Sequence, residues 1–126
     1  LGLGSLPTFG TAASKDVGTG AGQIPDMSSF PCLLEENGWE ILPNGKIKQW
    51  GLVQMSSSEG GNKVVPLPIP FPGKALNAHA TINAPTNYSG NIAVYVVDAT
   101  NTAITLVQDN ATATYIAKVY WEVTGK

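Results

Sequence analysis

Arginine is missing from this chain of 126 residues, and its seven basic residues are all lysines. Nine acidic residues bring the net charge to −2. That balance argues against a nucleic acid partner, which calls for a basic face. Cysteine occurs once, at Cys32. It has no intrachain partner for a disulfide and cannot build a metal site alone, so a free thiol is expected, buried or near an oligomer axis. No apolar run reaches the roughly 18 residues that span a bilayer. No charged leader followed by an apolar stretch marks a signal peptide. Membrane insertion is therefore not expected.

What is present comes in two parts. Residues 10–30, GTAASKDVGTGAGQIPDMSSF, carry glycine at Gly10, Gly18, Gly20 and Gly22 and show neither a helical nor an alternating apolar period. Only Val17, Ile24, Met27 and Phe30 could anchor anything. Burial in a lone chain would not offset the entropy of ordering such a segment. It is either a disordered leader or an intertwined element whose copies share an axis. The opening at Leu1 without methionine leads us to expect the C-terminal piece of a longer protein. Asp26 is positioned to cap a brief helical turn over residues 26–29, halted by Pro31. Residues 30–37 read as a connector.

After Gly38 the patterning is that of strands. Residues 39–42 and 46–55 flank Pro43-Asn44-Gly45, a hairpin signal because Asn-Gly accepts positive φ. Gly51 beside Trp50 allows a ring or backbone to approach closely. Residues 56–62 form a loop. Prolines at 66, 68, 70 and 72 alternate with Val65, Leu67, Ile69 and Phe71. The missing donors then line one edge, which describes an edge strand protected from further pairing; a polyproline segment for a partner is the alternative. Leu76, Ala78, Ala80 and Ile82 mark a core face opposite Asn77, His79, Thr81 and Asn83. Residues 85–90 are a loop. Residues 92–97 are apolar on both faces, so this strand is central or at a subunit contact. A turn at 98–102, a strand at 103–107 and a loop at 108–112 follow. In the final strand, 113–123, Tyr115, Ala117, Val119, Trp121 and Val123 point inward, and Thr114, Ile116, Lys118, Tyr120 and Glu122 outward. An all-β fold follows, an antiparallel sandwich-like domain over residues 38–126 preceded by an extended segment over 1–37.

Several of these blocks are similar to known sequences. LGLG at residues 1–4, GTAASKDVGTG and QIPDMSSF look like the shaft-to-tip junction of tail fibre proteins from Mu-like and related contractile-tail bacteriophages. GWEILPNGKIKQWG at 38–51 resembles the opening of the globular tip in those fibres, and the closing YWEVTGK is loosely similar to their ends. The resemblance implies a homotrimer with an intertwined shaft, a virion location after assembly in the host cytoplasm, and a phage-encoded tail fibre assembly chaperone. It also implies adsorption to a host surface glycan or outer-membrane receptor, with lipopolysaccharide of a Gram-negative bacterium the leading expectation. Alternatives are a structural trimerisation or capping module and a glycan-cleaving tailspike fragment.

Chemistry that would make an enzyme is sparse. His79 is the sole histidine, on the polar face of a strand, and a hydrogen-bonding role is expected for it. Glu35, Glu36, Asp98 and Asp109 could in principle supply paired carboxylates, but a connector and separate turns hold them. GTGAG at 18–22 lacks the lysine and helix of a phosphate loop. The glycosylation patterns at Asn87 and Asn110 read as chance. No enzyme, cofactor or metal is expected. Candidate receptor-binding side chains are Ser57, Glu59, Asn62, Asn83, Asn87, Tyr88, Asn91, Asp109 and Asn110, with Tyr88 foremost as a rigid amphipathic surface. In a meander, loops 56–62, 84–90 and 108–112 share one end; turns 43–45, 72–74 and 98–102 and the C-terminus share the other. A Greek key would scramble this grouping.

Overall fold

A computed structural model describes residues 10–56, 62–83, 93–109 and 116–126. Eight strands appear among them: β1 (Cys32–Leu33), β2 (Gly38–Ile41), β3 (Ile47–Ser56), β4 (Asn62–Pro66), β5 (Ala75–Asn83), β6 (Ala93–Ala99), β7 (Ala103–Asp109) and β8 (Ile116–Gly125). They form a five-stranded sheet, β1-β2-β3-β8-β5, and a three-stranded sheet, β4-β7-β6. Every strand pair is antiparallel. The expected all-β antiparallel sandwich is what the chain builds.

Alternation explains the core. Ala117, Val119, Trp121 and Val123 of β8 lie buried with Ile47 and Met55 of β3, and meet Ile104, Leu106 and Val65 of the smaller sheet. Lys118, Tyr120 and Glu122 face away. The β2–β3 hairpin closes as its Asn-Gly pair demands. Gly45 has φ +85°, Gly45 N–H donates to Leu42 O at 2.9 Å, and the Asn44 side chain accepts from Lys46 N–H at 3.0 Å.

Five expectations need correction. The proline-rich strand stops at Pro66. Its apolar residues keep their alternation, but Leu67, Ile69 and Phe71 donate to Thr102 O, the Gln49 side chain and Asn101 O respectively. No single neighbouring strand receives all three, so no ladder continues. Leu76 is exposed, not core, because a bulge between Ala75 and Asn77 shifts the register and turns it outward. β6 is an edge strand of its sheet with Tyr95 and Val97 exposed, so of the two expectations, a central strand or a subunit contact, the central strand falls. Gln108 belongs to β7, which runs to Asp109, and is buried, so residues 108 and 109 are strand where a loop was expected. Cys32 is exposed in the single chain, where a buried thiol was one expectation, because two-residue β1 lies at the sheet edge.

The N-terminal segment has local order only. Thr11–Ser14 and Met27–Ser29 form 3₁₀ turns, and Asp26 caps the second through Ser28 N–H at 3.0 Å, as expected. Val17 and Ile24 make an isolated bridge. Val17 and Met27 stay exposed. Residues 1–9 lie outside the described part.

Two ends of the sandwich can be told apart. Pro31 O accepts from Ile41 N–H at 3.0 Å. Ile41 pairs with Ile47, which pairs with Gly125. Asn101 donates to Gly73 O at 2.9 Å, and Gly73 N–H to Lys126 O at 2.6 Å. The chain's entry, turns 43–45, 72–74 and 98–102 and the C-terminus thus gather at one end. At the other, Ser56 pairs with Ile116, Asn83 with Lys118 and Ala93 with Asp109. Lys63 Nζ donates to Gln54 O at 2.8 Å, joining the start of β4 to this same end. The strand order is not a meander, since β8 lies between β3 and β5. The end grouping survives because antiparallel pairing alone sets it.

Candidate functional site

Of the sequence-predicted site residues, Asn62, Asn83 and Asp109 are described. All three are exposed and lie at strand ends remote from the chain's entry. Ser57, Glu59, Asn87, Tyr88, Asn91 and Asn110 fall outside the described residues. The three described side chains, two carboxamides and one carboxylate, offer hydrogen-bond donors and acceptors.

A second candidate was not read from the sequence. On the outer face of the five-stranded sheet lies a cleft of about 380 Å³, lined by Glu35, Glu36, Trp50, Leu52, His79 and Tyr120, among others. Two tryptophans flank the sheet here, each facing a glycine across the ladder: Trp50 on the face of the cleft and Trp121 on the core face. Trp50 is the partner of Gly38, and a Cβ on that glycine would lie 2.7 Å from the Trp50 ring. Trp121 is the partner of Gly51, where a Cβ would lie 2.4 Å from its ring. With no side chain opposite, each indole lies across the neighbouring strand. The expected close approach at Gly51 is therefore made by Trp121.

Trp50 Nε1–H donates to Glu35 O at 3.0 Å, which holds the connector against the sheet and places Glu35 and Glu36 at the cleft rim. Asn37, the residue before β2, continues the edge by accepting from Leu52 N–H at 3.2 Å. From β8 come Tyr120, 52% exposed, and Glu122, whose carboxylate meets Lys48 Nζ at 3.5 Å. β5 adds His79 and Thr81. Sequence alternation does identify Tyr120, Glu122, His79 and Thr81 as outward-facing. What it lacks is the strand order β3-β8-β5, which sets them side by side. No group of three His, Cys, Asp or Glu side chains able to hold a metal occurs among the described residues. No helix there is long and apolar enough to cross a membrane.

Comparison with known proteins bears on this architecture. Residues 41–126 match the family described as "Putative tail fiber protein gp53-like, C-terminal". The fold is similar to that of the Pseudomonas aeruginosa R2 pyocin fiber, with a TM-score of 0.64, 23% identity, and coverage of 77% of this chain and 26% of that one. It is also similar to an N-truncated R1-type pyocin tail fiber, with a TM-score of 0.65, 22% identity, and coverage of 77% and 85%. Identities this low speak to the fold alone. A curated relative, the uncharacterized protein MJ0347 of Methanocaldococcus jannaschii, is 37% identical over 71 residues. The chain spans about half the length of that relative (47%) and about a quarter of the R2 fiber chain (26%). With the family match spanning more than half of its length, this chain belongs to the C-terminal domain family of gp53-like tail fibre proteins.

Proposed function

We propose that this domain is the receptor-binding tip of a tail fibre, adsorbing a phage-type particle to a glycan on a Gram-negative surface, with lipopolysaccharide the leading receptor. One observation carries the reading. The chain enters the sandwich at the Pro31–Ile41 end, whereas Asn62, Asn83 and Asp109 lie at the opposite end. A fibre joined through the N-terminal segment would present those strand ends away from its shaft. Exposed amide and carboxylate groups suit the hydroxyls of a sugar.

In this reading residues 1–37 form the shaft and connector of a homotrimer, assembled with a dedicated chaperone in the host cytoplasm. The exposed, glycine-rich run through Gly18, Gly20 and Gly22 supports that, since it has little to bury against its own domain. Light scattering on the purified chain is expected to give three copies; a monomer with an ordered N-terminal segment would remove the shaft from the proposal.

The function is tested by incubating the purified fibre with host cells and with their lipopolysaccharide. Binding without release of sugar is the expected result. No binding to either would favour a capping module, and shortened polysaccharide would indicate a cleaving tailspike.

A further inference from the structure

The outer-face cleft is separate from the strand-end residues and holds a different set of groups. Two aromatic rings border it: Trp50, held by Glu35 O, and the half-exposed Tyr120. Flat aromatic faces of this kind pack on the apolar C–H face of a pyranose ring. The carboxylates of Glu35, Glu36 and Glu122 accept hydrogen bonds only, each with room for a pair of hydroxyl donors. His79 and Thr81 supply donors as well as acceptors.

The volume of about 380 Å³ lies in the range of small-ligand sites.

Charge narrows the ligand. Three carboxylates meet here, and Lys48 is engaged with Glu122 at 3.5 Å. An anionic sugar, whether a uronate or a phosphorylated residue, would be repelled. We propose that this cleft is a saccharide subsite for a neutral hexopyranose, stacked on Trp50 and Tyr120 and hydrogen-bonded by Glu36 and His79. The inference rests on the glycan-binding reading of the domain, adding a subsite on its flank and a preference for uncharged sugar.

The test uses the full chain and its own tryptophans, Trp39, Trp50 and Trp121. Its emission is titrated with methyl α-D-glucoside, methyl α-D-galactoside, methyl α-D-mannoside and N-acetylglucosamine, and with D-glucuronate as the anionic counterpart. At least one neutral glycoside is expected to saturate an emission change in the millimolar range, with glucuronate giving none. Tyr120→Ala is expected to weaken that binding tenfold or more, and Glu36→Gln several-fold. Both side chains are at the surface, and unchanged melting verifies folding. Tyr120→Ala should also leave the oligomeric mass unchanged; dissociation would make the cleft a contact between copies and overturn the proposal. Response to no neutral glycoside, equal response to glucuronate, or wild-type titration by both variants would overturn it too. Adsorption to host cells, measured in parallel, separates the two levels. If cells are bound while no glycoside moves the emission, the cleft assignment falls and the adhesin reading stands; if cells are not bound either, both fall.

Discussion

Gln49 and Ile69 form a closed pair of hydrogen bonds: Gln49 Nε2 donates to Ile69 O at 2.8 Å, and Ile69 N–H donates to Gln49 Oε1 at 3.0 Å. Gln49 has 0% exposure. Its carboxamide takes the place of a neighbouring strand for a proline-flanked residue that has none. The pair explains how residues 67–71 stay seated on the core after the ladder has ended at Pro66.

Removing that amide should be costly. Gln49→Met keeps most of the volume but strands the Ile69 N–H and C=O, with an expected loss of about 2–4 kcal/mol. Urea unfolding with an unchanged slope would measure it. Gln49→Glu loses the donor and buries a charge, so burial raises the pKa of the new carboxyl. A raised pKa means the neutral acid, which can donate to Ile69 O, prevails as pH falls. The penalty relative to wild type should therefore shrink on moving from neutral pH to mildly acid pH. An undiminished penalty would show that the donor is dispensable.

Gly51→Ala places a methyl 2.4 Å from the Trp121 ring and 2.2 Å from Asn37 Oδ1. Both neighbours have to shift, at an expected cost of about 1–3 kcal/mol. Near-ultraviolet circular dichroism should report the displaced indole along with the lowered melting temperature. An unaltered spectrum would count against the packing described.

Acid should loosen the turn before the sandwich. Hydrogen bonds from the Ser28 side chain and backbone hold the Asp26 carboxyl below the ordinary Asp range. A depressed folded pKa contributes stability above the unfolded value, and that contribution is lost as pH falls through the folded one. Protection factors at Ser28 and Ser29, taken against the intrinsic exchange rate at each pH, are expected to fall below the ordinary Asp range, and Asp26→Ala should show the low protection already at neutral pH. Equal protection in wild type and variant would remove the cap as the cause.

Under the adhesin reading proposed above, Asn87→Ala with Tyr88→Ala is expected to abolish adsorption to cells while leaving assembly and melting unchanged. Single sugar sites should be weak, about 4–8 kcal/mol or millimolar to micromolar. In the proposed trimer, copies on one axis add ~10²–10⁴ in avidity without new contacts. A monomerised tip should accordingly lose cell binding and keep its affinity for the isolated sugar. Normal adsorption by the double variant would move the site elsewhere on the domain.

Local pattern and turn chemistry determined much of this protein. Period-two alternation identified β8, with Val119, Trp121 and Val123 inward and Tyr120 and Glu122 outward. Asn44-Gly45 specified the hairpin, and Asp26 its capped turn. These succeed because each depends only on residues a few positions apart. Strand order does not. Placing β8 between β3 and β5 joins residues some seventy apart in sequence, such as Leu52 and Tyr120, and no local period encodes that choice. Leu76 shows the same limit in miniature: a bulge inverts one side chain without changing the alternating text. The fate of Gln49 was likewise closed to the sequence, where a polar residue between Lys48 and Trp50 has no sign of burial. Only the tertiary arrangement brings it under Ile69, because a proline-interrupted chain cannot complete its own ladder and the fold supplies an amide to do so.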